Sequence, residues 1–196
     1  MQIRQLRTCT DYWEERAEKV LSHFHYASPD EISMSDICWR YGITIMPLDS
    51  PFMERSIDFE SISHLESFSI PSPKARRGTI YLKENLDHFE RKLLLAEEFC
   101  HLYAHNAPQL PIDIHGLAKL ENQAKRMSAY LLMPSRFIKT VYDAAYDEAV
   151  LISDIADHFL VTEEFAHYRM ELIFNRRVDA FVAHRGTLGT VEWFNN

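Results

Sequence analysis

Glu97, Glu98, His101 and His105 fall in one short run, Glu97-Glu98-Phe99-Cys100-His101-Leu102-Tyr103-Ala104-His105. At about 100° per helical residue, with Glu97 at zero, Glu98 falls near 100°, His101 near 40° and His105 near 80°. Two carboxylates and two imidazoles therefore project from one face of a helix within about two turns. Such a set offers a divalent cation oxygen and nitrogen ligands and leaves one carboxylate to handle a water molecule. Glu and His on the polar face of an amphipathic helix are also ordinary, and spacing alone fits a solvated surface as well. The run has the spacing of the H-E-x-x-H zinc-protease helix, with glutamate where the first histidine stands.

A second constellation lies about twenty residues on. Glu121-Asn122-Gln123-Ala124-Lys125-Arg126-Met127-Ser128-Ala129-Tyr130-Leu131-Leu132-Met133-Pro134 opens with an acid on a helix and ends in Leu-Leu-Met-Pro. Alone, Glu121 is a solvated helix residue. Beside the first run it resembles the third protein ligand of a zincin, delivered from the next helix.

The elements that must position these residues follow from periodicity. Phe89, Leu93, Ala96, Cys100 and Tyr103 recur at spacings of four, three, four and three, which predicts an amphipathic helix over 87–105. Other helices are expected at about 10–26, from the Ser33–Asp36 cap to Gly42, and at about 116–132, 134–146, 151–160 and 163–175. Strands are expected at Ile43–Met46, Ser56–Phe59, His64–Ile70 and Thr79–Lys83, with a turn from Pro71 to Gly78 and a hairpin in Val178–Phe194. Strands cluster between about 43 and 83 with helices on either side, so the fold class is α+β and not an alternating βαβ array. We expect residues 1–150 to form the domain that carries the site, with a helical pair and tail over 151–196 packed on it.

Composition narrows the classes further. The 196 residues are 46% hydrophobic, enough for a core, and no apolar window is long enough to span a membrane. The N-terminus is charged and amphipathic, without a secretory signal's apolar region. Cys9, Cys38 and Cys100 form no C-x-x-C pair, which predicts a reducing cytoplasm and makes Cys100, on the apolar stripe, a core residue. The formal charge of −8 argues against general nucleic-acid binding. Residues 152–172 have a helix-turn-helix outline. The second helix is net acidic, and Leu160 sits where such turns favour glycine, so packing or docking of a protein partner suits it better than DNA. Lys74, Arg76 and Arg77 read as a solvated basic turn. His64, His88 and His115 lack partners at ligand spacing, although His115 could approach the site from its loop.

Together the motifs resemble the ImmA/IrrE-type metallopeptidases. That pattern is a short strand, here Gly78-Thr79-Ile80-Tyr81-Leu82, then the Leu95-Ala96-Glu97-Glu98-Phe99-Cys100-His101 helix, then the Glu121–Pro134 run. Ile155–Thr162 with Arg169 is similar to a downstream element of the same family, and the resemblance covers about 35–175. It implies a minimal zincin-like fold and a cytoplasmic, zinc-dependent endopeptidase of bacteria or their phages and mobile elements. The implied substrate is a helix-turn-helix repressor whose cleavage releases transcription.

Carried over by position, Glu98 is the general base, and His101 and Glu121 are metal ligands. Glu97 occupies the first histidine's place, which leaves three outcomes. Glu97 ligates through oxygen, a harder and more anionic site in which Mn²⁺ or Fe²⁺ competes with Zn²⁺; or the pair shifts to His101 and His105; or no metal binds, and the fold serves as a module that binds a repressor or an antitoxin-like partner. Three carboxylates in a partly buried site would repel one another without a cation, with Lys125 and Arg126 as protein-borne substitutes.

Overall fold

The computed structural model describes residues 11–48, 64–72, 77–104 and 114–193, with side chains from 118 in the last range. The expected strand at Ser56–Phe59, His105, Lys74, Arg76 and the side chain of His115 lie outside this description. The described residues hold seven α-helices, one 3₁₀ turn and two three-stranded sheets, an α+β fold consistent with a small zincin-like domain. The chain divides into two compact units, residues 33–128, and residues 1–32 together with 129–196.

In the first unit α2 spans Met34–Arg40, its N-terminus capped by Ser33 Oγ accepting from the Asp36 N–H at 3.2 Å. Gly42, at φ +67°, then turns the chain into β1 (Ile43–Pro47). β2 (Ser67–Pro71) and β3 (Gly78–Leu82) follow, and the sheet order is β1-β3-β2, with β1 parallel and β2 antiparallel to β3. α3 (His88–Ala104) starts at a reciprocal cap. Asp87 Oδ1 accepts from the Phe89 and Glu90 N–H groups at 2.7 and 2.9 Å, while Glu90 accepts from the Asp87 N–H. α4 (Ile114–Leu132) continues from this unit into the other.

The sheet's faces follow from its pleat. Gly78, Ile80 and Leu82 alternate onto one face, and a Cβ at Gly78 would stand 2.9 Å from the Leu102 side chain of α3 and 2.3 Å from the Ile70 carbonyl oxygen. Only glycine allows strand and helix this close. Ile80 and Leu82, on the same face, are buried. The predicted stripe on α3 needs correction at its start, because Phe89 is 37% exposed. Burial begins with Lys92 and becomes nearly complete from Leu95 to Tyr103, interrupted by Glu97 and Glu98, which are half-buried. Two packed layers flank this end of the helix, so the apolar face widens beyond a single stripe. Tyr41 meets Phe99 and Tyr103 edge-on at 5.3 and 5.5 Å, and Cys100 is fully buried.

The second unit comprises α1 (Tyr12–Leu21), α5 (Ser135–Ala144), a two-residue strand β4 (Val150–Leu151), α6 (Ile152–Phe159), α7 (Glu163–Phe174) and the β5–β6 hairpin (Ala180–His184, Thr187–Val191). The expected helix at 10–26 is shorter than its apolar pattern suggested, since Ser22 caps it and Tyr12 is exposed. β4 pairs with β5, adding a third strand that two residues of sequence could not reveal. Leu160 ends α6 at φ +52°, the left-handed geometry its position in the turn required.

Arg169 organises this unit. It is 1% exposed, its Nε donates to the Met133 carbonyl at 2.9 Å and its Nη2 to Ser135 Oγ at 3.0 Å. Ser135 Oγ in turn donates to Glu14 Oε1. The guanidinium lies 4.5 Å over the Tyr130 ring, whose hydroxyl donates to Asp11 Oδ2 at 3.1 Å. The end of the Leu-Leu-Met-Pro run and the Arg of the downstream element are thus one structural feature. Burial pulls the Arg169 guanidinium below its ordinary range, and Tyr130, Glu14, Tyr142 and Asp11 oppose that pull. Burial also pushes the Tyr142 hydroxyl up to about 12, against the effect of Arg169.

Candidate functional site

Two α-helices and one strand of the first unit bring the site together. α3 presents Glu97, Glu98 and His101; α4 supplies Glu121; β2 contributes Ser67. His101 Nε2 stands 3.2 Å from Glu121 Oε2, with the imidazole 8% and the carboxylate 57% exposed. The pairing joins positions twenty residues apart, so Glu121 is more than a solvated helix residue. Glu98 Oε1 accepts a hydrogen bond from Ser67 Oγ at 2.8 Å.

Glu97 is the most perturbed carboxyl of the group. Burial lifts it above the ordinary carboxylate range. Lys125 and His101 oppose the lift, and Glu98 and Glu121 add to it by repulsion. Glu97 is therefore within electrostatic reach of all four partners, and the polar face of α3 is not a freely solvated surface. Lys125, noted from sequence as a protein-borne cation, is the basic side chain that acts on it.

The donor set can be tested against a metal. Two donor atoms each about 2.0–2.1 Å from a tetrahedral ion stand roughly 3.3 Å apart. The 3.2 Å between His101 and Glu121 suits two neighbouring ligands of one ion as well as a direct hydrogen bond. Two carboxylates and an imidazole are also a donor mixture that divalent cations accept. Among the described residues no three His, Cys, Asp or Glu side chains are gathered into a group that could hold an ion. Glu97 acts electrostatically with His101 and Glu121 without forming a three-residue group with them.

The remaining histidines of the expectation are placed without a ligand role. His64 is exposed, and His88 is exposed with its ring edge-on to Phe89 at 6.0 Å. Arg77 is exposed, with its side chain against Gly42. Ser67 is the residue that sequence reasoning missed. It sits thirty-one positions before Glu98 in a short strand with no motif, and only strand pairing brings it to the site.

A helix carrying two acids and a histidine, a following helix that returns a third acid, and a small sheet with an antiparallel edge strand define a protein of the small zincin-like class. A model for the IrrE N-terminal-like domain, peptidase family M78, matches residues 38–171, and the chain belongs to that family. Among solved structures, a Mycobacterium tuberculosis transcriptional regulator superimposes with a TM-score of 0.50 at 15% identity, over 81% of this chain and 46% of that one. That likeness is one of fold, and this chain spans less than half the length of the regulator. No curated protein matches the chain. Among the described residues, no helix is long and apolar enough to cross a membrane.

Proposed function

We propose that this protein is a metal-dependent endopeptidase of the cytoplasm, with Zn²⁺ as its ion and Mn²⁺ or Fe²⁺ as competitors. Its substrate is a helix-turn-helix repressor of a phage or other mobile element. The observation that carries the metal is the 3.2 Å approach of His101 Nε2 to Glu121 Oε2, with Glu97 in electrostatic reach. Glu97, His101 and Glu121 would hold the ion, and His105 is the alternative ligand. When bound, the ion supplies Lewis-acid polarisation of a peptide carbonyl and lowers the pKa of water. Glu98 takes the proton from the attacking water and returns it to the departing amine. The repressor enters through the family resemblance alone.

A second reading is favoured by one observation. With His101 and Glu121 paired directly and Lys125 acting on Glu97, the site also offsets part of its charge without an ion. The protein then binds a repressor or toxin–antitoxin partner without cutting it.

Elemental analysis after reconstitution separates the two. The peptidase reading expects about one metal per chain, retained in Glu98→Gln and lost in Glu121→Ala. It also expects Glu98-dependent cleavage of a helix-turn-helix repressor encoded beside the gene. A wild-type chain that stays metal-free sinks it, and metal binding without cleavage supports the binding module.

A further inference from the structure

We propose that Ser67 is a positioning residue for Glu98, holding one carboxylate oxygen so that the other does the proton transfer; the proposal rests on the peptidase reading above. The contact is the 2.8 Å hydrogen bond from Ser67 Oγ to Glu98 Oε1. Its value depends on how firmly each end is held.

Ser67 is held by its strand. It pairs with Leu82 in the β2–β3 register, and one step outward the Lys83 N–H donates to the Glu66 carbonyl at 2.9 Å. One step inward, Phe68 stacks on Tyr81 at 4.9 Å and 12°. The backbone is therefore fixed on both sides of the serine. Cross-strand partners share a face, so Ser67 projects with Leu82, Ile80 and Gly78 toward α3, the face that Gly78 brings up to Leu102. Glu98 is held by α3, whose neighbours Leu95, Phe99 and Leu102 are buried. A glutamate has three rotatable side-chain bonds and is otherwise poorly fixed. One donor on a rigid strand removes much of that freedom, and small misplacements of a catalytic group lower rates steeply.

The consequence for the reaction is specific. With Oε1 occupied by the serine hydroxyl, the water's proton goes to Oε2 as the water oxygen forms its bond to the carbonyl carbon. The same proton passes from Oε2 to the nitrogen as the C–N bond breaks, so Glu98 ends as it began. The serine keeps its own proton throughout. Serine rather than alanine at this strand position is thereby explained, whereas a purely structural contact would leave Glu98's orientation indifferent to it.

The test uses the full chain loaded with Zn²⁺, as wild type, Ser67→Ala and Ser67→Thr. Crystal structures are expected to show Glu98 in one rotamer in wild type and Ser67→Thr, and displaced or in two rotamers in Ser67→Ala. Zinc content should be equal in all three. With dye-labelled casein as probe, Ser67→Ala should lower kcat about 10- to 100-fold with KM changed less than about twofold, and Ser67→Thr should restore it. A Glu98 rotamer unchanged in Ser67→Ala overturns the proposal, as does loss of zinc from that variant, which would make Ser67 structural. The crystallographic comparison decides whether or not casein is cut. A wild-type chain that takes up no zinc refutes the peptidase reading instead, which separates the two failures.

Discussion

Two of the places where the described residues bury ionic groups are built in opposite ways. Around Arg169 one guanidinium is met by a backbone carbonyl, a serine that relays to Glu14, and the face of Tyr130. The charge is enclosed and its partners belong to the protein. Around Glu97 the balance is reversed, with three carboxylates set against one imidazole and Lys125. Burial raises Glu97 most, Lys125 and His101 pull it back, and Glu98 and Glu121 push it up again, so its carboxylate is left incompletely compensated. The Arg169 cluster is therefore a structural joint whose partners the protein supplies at Nε and Nη2, while the buried Nη1 makes no hydrogen bond among the described residues. The Glu97 site is an arrangement that an added cation would improve. Electrostatics distinguishes a structural ionic group from a functional one by asking whether the protein supplies the counter-charge.

The largest effect is expected from breaking the Arg169 joint. Arg169→Ala should destabilise the chain by about 3–5 kcal/mol, the range for removing one partner of a buried ionic network. The Met133 carbonyl and Ser135 Oγ would lose their donor together. Urea unfolding monitored by circular dichroism measures this, and the loss should be the same with zinc or with a chelator. A loss below about 1 kcal/mol would mean that solvent enters readily and the joint is not closed.

Asp179 offers a milder version of the same design. It is buried, which by itself raises its carboxyl. The Trp193 backbone N–H at 2.8 Å and the Arg177 guanidinium at 2.9 Å, with His167 nearby, outweigh burial and hold it below the ordinary carboxylate range. A carboxyl depressed on folding stabilises the protein above its unfolded pKa, near 3.9, and that stabilisation disappears as pH falls through the lower folded value. Asp179→Asn should thus cost about 1–3 kcal/mol at pH 7. The difference from wild type should shrink as the pH falls below about 4. Thermal melts at pH 7, 5 and 3 check it, and a difference independent of pH would assign the loss to packing.

What could be read from sequence follows the range of each interaction. The helix 88–104, the strand at 78–82 and the 180–191 hairpin rest on local rules, and their residue types displayed them. Glu121 was legible because helical spacing and a long motif carried it. Ser67, thirty-one residues from Glu98, was not, because strand pairing creates that proximity. The role of Arg169 was likewise hidden. Its motif resemblance was visible, but nothing local says that its donors end on Met133 and Ser135. Phe89 misled in the other direction, since periodicity marks a stripe without showing where along the helix the partner layer begins.

The finest test of the contrast is Glu97→Gln, which removes one negative charge while keeping nearly the same shape. In the metal-free protein the substitution relieves repulsion from Glu98 and Glu121 and removes a carboxyl that burial disfavours. Stability at pH 7 should therefore rise, by about 1 kcal/mol or less, as fits a partly screened group. With zinc in excess the order should invert, because an ion that binds only the folded chain stabilises it by about 2.7 kcal/mol at a hundred times its Kd. Glutamine, a poorer ligand than carboxylate, would forfeit part of that gain. Melting temperatures of both proteins, with chelator and with zinc, give the four values needed. If Glu97→Gln is the more stable protein in both conditions, Glu97 is not a ligand, and the site would resemble the Arg169 joint in holding its charge without an ion.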